Sequence, residues 1–205
     1  MPSFNVAGVD IGFRKTGITI FRMTPDEDKL IAATTVCPEL ASTSVVYKDV
    51  TSCFMMMEGV VNFLKEHEAR ALFLEFPAGG SQSGRAARCM GMATAMSAAI
   101  LQHFDWDLGY EIYIPSKIET LLDIKAAPGS KIKLSKGSKR AEKKEALKDI
   151  VLEKYPDEAF SGWPRTKELA EDAYDSAAVF LAAKLEFGEE GLYQRLRAIC
   201  EGSGQ

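Results

Sequence analysis

Three β-rich segments precede any helix, and this order constrains the fold more than any other feature of the chain. Residues 4–10 are apolar, with Val6 and Val9, and end in the glycine-bearing turn Asp10-Ile11-Gly12. Residues 17–23 follow after a short turn, so the two segments predict a hairpin. Pro25-Asp26-Glu27-Asp28 is a turn, and residues 30–37 read as a third strand. Helical spacing then begins: residues 47–67 set Val50, Phe54, Met57, Val61 and Leu64 on one face. The run Met55-Met56-Met57 reads as adaptable core filler. Residues 71–76 are a short, continuous apolar run, the pattern of a central strand buried on both faces. After a Gly/Ser-rich loop (77–84) come a helix over 85–104 and a strand over 110–114 closed by Pro115. A short helix over 116–122 follows, then a basic loop around Pro128-Gly129 and helices over 140–155, 167–187 and 189–200.

That order predicts an α/β fold, a mixed five-stranded sheet flanked by helices. The first three strands meander antiparallel, and the two reached through helices add in parallel. At 205 residues, 46% of them hydrophobic, the chain is expected to form a single domain over 1–205, with a basic insert at about 125–140. No apolar run approaches the roughly 20 residues of a membrane span, and the start lacks a charged, apolar leader. The expected setting is therefore cytoplasmic, nucleoid-associated or in an infected host's cytoplasm, with no membrane partner. Cys37, Cys53, Cys89 and Cys200 form no C-x-x-C pair, and the chain has two histidines, so free thiols are expected rather than a zinc site.

Four carboxylates stand where backbone elements can aim them. Asp10 closes the first apolar run and Glu75 the run 71–74, while Asp172 and Asp175 are three apart on a helix and so share a face. Acids brought together repel one another unless a cation joins them. Hard divalent ions take oxygen ligands, and two-metal sites cut phosphodiesters. The set therefore points to metal-dependent nucleic-acid cleavage. Taken singly, each acid also has a structural reading. Asp10 before Gly12 is a turn residue, Glu75 ends a strand, and Asp172 and Asp175 are helix-surface charges. Their surroundings favour the set: Leu74 and Phe76 flank Glu75, and Ala173, Ala177, Ala178 and Ala182 suit close helix–sheet packing.

The charge distribution agrees. Between Lys125 and Lys148 nine basic residues face two acids, a net +7, which leaves −11 for the rest of a chain whose total is −4. A local basic stretch, not the global sum, is the footprint of phosphate binding, although alone it also reads as a solvated helix face.

Gly8-Val9-Asp10-Ile11-Gly12 with Thr16-Gly17, then Leu74-Glu75, then Glu171-Asp172-Ala173-Tyr174-Asp175-Ser176-Ala177 resemble the RuvC-type Holliday junction resolvases of the RNase H-like superfamily. The resemblance covers about residues 4–184. It implies a Mg²⁺-dependent endodeoxyribonuclease that resolves four-way DNA junctions by paired symmetric nicks, leaving 5′-phosphate and 3′-hydroxyl ends. It implies two Mg²⁺ per site, with Mn²⁺ as the alternative ion, held by Asp10, Glu75, Asp172 and Asp175. Lys143, in Ala141-Glu142-Lys143, matches a family lysine and takes a catalytic role. The family's other lysine position holds Glu119, with Lys117 two residues earlier as its substitute, and Phe76 directly after Glu75 stands for the junction-probing aromatic. The expected DNA contacts are Arg14, Lys15, Phe76, Arg85, Arg88, Lys117, Lys131, Lys133, Lys136, Lys139, Arg140 and Lys144. Four-way junctions have two-fold symmetry, so a homodimer is expected, and the helix over 85–104, with Met90, Met92, Met96 and Ala99, is its candidate interface.

Three other functions stay open on sequence alone. One is a nuclease of this fold acting on other branched DNA or on RNA–DNA hybrids. Another is an actin-like ATPase or kinase domain, which shares the opening strand and D-x-G turn but needs two such domains. The third is a non-catalytic adaptor, against which the intact acid set speaks.

Overall fold

A computed structural model describes residues 2–39, 44–76, 83–104, 109–124, 136–156 and 167–202. Its strands are β1 (Phe4–Ile11), β2 (Thr16–Met23), β3 (Asp28–Val36), β4 (Ala69–Glu75) and β5 (Gly109–Tyr113). Its helices are α1 (Val45–Glu66), α2 (Gly84–His103), α3 (Pro115–Leu121), α4 (Lys136–Lys154), α5 (Lys167–Phe187) and α6 (Glu189–Gly202). The strands form one sheet in the order β3-β2-β1-β4-β5, with β1–β2 and β2–β3 antiparallel and β1–β4 and β4–β5 parallel. This is the mixed sheet that the order of elements predicts. Among the described residues no helix is long and apolar enough to cross a membrane.

The two-residue period of the strands decides which side chains meet which helices. Ala7, Val9 and Ile11 of β1, Ile18 and Ile20 of β2, and Leu72 and Leu74 of β4 face the layer of α1 and α2. Phe4 and Val6, Phe21, Phe73 and Tyr113 face α5 and α6 on the other side. Phe21 and Phe180 stack there, with ring centroids 4.0 Å apart. The same alternation turns Gly8 and Asp10 toward α5.

Helix α5 lies unusually close to the sheet because both surfaces are made of small residues. Ala173, Ser176 and Ala177 are fully buried beneath it. A Cβ at Gly8 would overlap the Ser176 carbonyl oxygen, and one at Gly17 would overlap that of Asp172. The far part of the helix is tied down by charge. Lys184, buried, donates to Asp28 of β3 and pairs with Glu189 of α6 at 2.8 Å, while the Tyr155 hydroxyl donates to the other Asp28 oxygen.

Two expectations change. Helix α4 starts at Lys136, not Arg140, so the end of the basic insert is helical and passes through Gly137 and Ser138. Such residues weaken a helix interior by about 1 kcal/mol or less each, not enough to stop one. The buried face of α1 is Asp49, Met56, Val60, Val61 and Leu64, so Val61 and Leu64 are core as expected but Val50 and Phe54 are about 60% exposed. Asp49 turns inward instead because two arginines of α2 neutralise it.

Replacing Gly17 by alanine is expected to push α5 off β2 and lower stability by about 2 kcal/mol, in the range of overpacked cores. Chemical denaturation reads the loss. Thr19→Ser, a smaller change on the same face, should remain within about 1 kcal/mol of the parent.

Candidate active site

Strand register creates the floor of the site. Asp10 of β1 is paired with Glu75 in the parallel β4 and with Gly17 in the antiparallel β2. Glu75 follows Ala71 and Phe73 on the α5 side of β4. Both acids therefore emerge on one face, side by side, at the carboxyl ends of the two parallel strands.

Helix α5 adds the other pair. Gly17 admits the Asp172 backbone against β2, and the three-residue spacing puts Asp175 on the same face. One carboxylate oxygen from each of Asp10, Asp172 and Asp175 lies within 4.8 Å of the others. Glu75 joins Asp10 and Asp175 in the lining of a cavity of about 530 Å³. Lys143, Lys144 and Glu119 also line it, and Pro115, Ile118, Ile124 and Leu147 form its apolar wall.

The acids are crowded and poorly hydrated, and their proton affinities follow. Burial, then the charges of Glu75, Asp175 and Asp172, pushes the Asp10 carboxyl well above its usual range. Burial, then Asp175, raises Glu75 from 4.5 to about 7. Asp172 is raised too, again chiefly by burial, against the lowering influence of Lys15 and Lys144. The Oδ2 atom of Asp172 is buried without a hydrogen-bond partner. An orphaned carboxylate oxygen beside two further acids is a poor arrangement for protein alone and suits a hard divalent cation. The all-oxygen donor set fits Mg²⁺ or Mn²⁺, with Asp10, Asp172 and Asp175 gathered and Glu75 adjoining.

The two neighbouring lysines of α4 have different partners. Lys144 donates to Asp175 at 3.0 Å and stands 3.9 Å from Glu171. Burial works against its charge, but Asp175, Glu171 and Asp172 prevail and raise its pKa. Lys143 instead donates to Glu119 on α3. The lysine expected as a DNA contact thus sits on the acids, and the one expected to be catalytic lines the same cavity with Glu119 as its partner.

The other expected residues fall at varied distances from this centre. Lys15, in the β1–β2 turn, is close enough to lower the pKa of Asp172, and Arg14 beside it is exposed. Phe76 is partly buried, and its backbone N–H donates to Tyr113 at 2.7 Å, which carries the β4–β5 ladder one residue further. Arg88 donates to the buried Asp49 at 2.5 Å and Arg85 stands 3.8 Å from it, which ties α2 to α1. Lys117 pairs with Glu186 at 2.6 Å and lies over the Tyr113 ring. Glu186 is about 16 Å of helix rise from Asp175, so Lys117 does not line the cavity. Lys131 and Lys133 lie outside the described residues, as does the loop 77–82. Lys136, Lys139 and Arg140 are placed on the first turns of α4 by backbone alone. Glu119 and Asp49 are the residues for which sequence reading had no role. Glu119 shows one signal, the Pro115 start that fixes the phase of α3.

No family model and no curated protein matches the chain in sequence. Solved structures do match. RuvC of Thermus thermophilus, in complex with a Holliday junction substrate, aligns with a TM-score of 0.57 at 15% identity, over 89% of this chain and 94% of that one. A second structure of the same protein gives 0.56. The yeast mitochondrial Holliday junction resolvase aligns with 0.55 at 14% identity, over 94% of this chain and 85% of that one. The sheet order and its flanking helices are those of the RNase H-like fold. That fold is shared with the Thermus structures over 89% of this chain.

The raised carboxyls have a thermodynamic consequence. Glu75 holds its proton to about pH 7 in the folded protein against 4.5 ordinarily, so the fold is favoured below 4.5 and loses this contribution as pH rises through 7. Asp10 and Asp172 act in the same direction. In EDTA, the melting temperature is expected to fall between pH 5 and pH 8, and millimolar Mg²⁺ should flatten that fall. Glu75→Gln should melt roughly 3 °C higher than the parent at pH 8 in EDTA. A parent whose melting temperature ignores both pH and Mg²⁺ would contradict a buried acid cluster that takes up metal.

Proposed function

We propose that this protein is a metal-dependent, structure-selective endonuclease that resolves four-way DNA junctions by paired, symmetric nicks. The observation that carries this reading is the meeting of acids from β1, β4 and α5 at a cavity that two lysines also line. The RuvC-type fold supports it.

Asp10, Glu75, Asp172 and Asp175 would hold divalent ions, whose chemistry would be to acidify a water and offset charge on the leaving oxygen. The protein's own residues do the rest. The paired strand ends fix Asp10 against Glu75, and α5 fixes Asp172 and Asp175, so the site needs little rearrangement. Lys143 offsets charge that builds on the scissile phosphate. Lys144 keeps the acid cluster from carrying its full negative charge toward an anionic substrate. Ile118, Ile124 and Leu147 exclude bulk water from one side of the cavity. Lys15 and Arg14 on the β1–β2 turn, and the basic residues that open α4, would supply cations for neighbouring phosphates.

A junction presents two equivalent strands, so a two-fold dimer suits the task. The candidate helix α2 turns Met96 into the core and leaves Met90, Met92 and Ala99 partly covered. The larger apolar surface is on the first turns of α1, where Val46, Tyr47, Val50 and Phe54 are each about 60% exposed. Helix α1 runs toward the start of β4 and α2 away from its end, so both begin at the end of the sheet that carries the acids. Apolar groups this exposed and this contiguous usually mark an interaction surface.

Cleavage of labelled four-way junctions, linear duplex and RNA–DNA hybrid with Mg²⁺ tests the activity. Asp10→Asn and Glu75→Gln are each expected to slow junction cutting at least about 1,000-fold while binding persists. A variant that cuts at the parent's rate would remove that acid from the site. Nicks that are unpaired or cannot be religated would point to a general branch nuclease. In sedimentation, the parent should run as a dimer and Val50→Asp with Phe54→Asp as a monomer that no longer pairs its nicks. A doubly substituted protein that stays dimeric would move the interface elsewhere.

A further inference from the structure

We propose that Glu119 is a positioning residue for Lys143, holding its ammonium on the α3 wall of the cavity that the acids also line. The inference rests on the nuclease reading above and assigns a role to a carboxylate that this reading does not use.

The backbone beneath Glu119 is fixed. Pro115 starts α3, and Ile118 is 2% exposed in the core between α3 and α5. Successive helix residues point about 100° apart. Lys117 accordingly goes to Glu186, Ile118 to the core and Glu119 to the cavity. The same rule separates two lysines on α4: Lys144 reaches Asp175 and Lys143 reaches Glu119. Each lysine thus has its own carboxylate, one on α3 and one on α5, in the lining of one cavity.

Lys143 and Glu119 are each about one third exposed, so their pairing adds little to fold stability. Its value lies in placement. A lysine side chain is long and flexible, and without a partner its charge would wander or be drawn to the acids on the floor. An ammonium has three donors. One given to Glu119 leaves two for a phosphate oxygen, so the contact need not break when DNA arrives. The carboxylate also acts against the substrate. Its charge is felt by Glu75 and lies beside the path of an anionic strand. Glu119 is therefore expected to favour turnover while weakening ground-state binding, a split that a residue needed only for folding would not produce.

Single-turnover cleavage, junction binding in EDTA and nitrogen-15 NMR of the lysine ammonium groups test this. Lys143→Met should cut about 100-fold slower and Glu119→Ala about 10-fold slower, with the double variant no slower than Lys143→Met alone. Glu119→Gln, which keeps an oxygen acceptor, should fall between the parent and Glu119→Ala. Junction binding by Glu119→Ala should match the parent or tighten by about 3-fold. The Lys143 ammonium signal should be distinct in the parent and lost or averaged in Glu119→Ala. If Glu119→Ala cuts at the parent's rate, or the single losses multiply in the double variant, the assignment fails. It also fails if the Lys143 signal is unchanged in Glu119→Ala, a result that does not depend on cleavage. A parent that cuts no junction overturns the nuclease reading instead, and the NMR comparison still decides the pairing.

Discussion

Everything chemical in this molecule depends on how closely α5 approaches β1 and β2. At Gly8 and Gly17 the helix backbone takes space that a methyl group would otherwise fill. Ala173, Ser176 and Ala177 complete the contact from the helix side. The approach brings Asp172 and Asp175 onto Asp10, and strand pairing supplies Glu75. It also removes water from the acids, and this desolvation leads the causes that raise Asp10, Glu75 and Asp172. One steric fact thus produces both the geometry of the cluster and its demand for positive charge.

That demand is met locally. Lys144 sits against Asp175, and Lys15 acts on Asp172 from the β1–β2 turn. The basic stretch that offsets an otherwise acidic chain leads straight into α4, whose lysines reach the cavity. Elsewhere charge has a different purpose. Asp49 with Arg88 joins α1 to α2, and Asp28 with Lys184 joins β3 to α5. Both partners of the second pair are buried, whereas Arg88 keeps nearly half its side chain in solvent.

Much of this was legible in the chain. Apolar runs bounded by turns located the strands, and helical spacing located the helices, because both signals are local. The acids were legible as a set, since each closes an element or shares a helix face. Rotations and partners were not. Val50 and Phe54 fit an apolar helical stripe, yet the helix turns Asp49 inward because Arg85 and Arg88 wait on α2, 36 and 39 residues along the chain. Lys117 stands two residues from Glu119, but the phase of α3 sends one to Glu186 and the other to the cavity. Lys143 and Lys144 are adjacent in sequence and take different partners for the same reason. Local pattern cannot choose among partners that only the folded chain brings near.

The tight seat of α5 also bears on how such a chain can diverge. Surface helices commonly tolerate a gained or lost residue by sliding or turning. Here a single insertion between Asp172 and Asp175 would swing one by about 100° relative to the other, and the glycine seats would resist any compensating roll. Change in this part of the helix is therefore confined to swaps that keep its length.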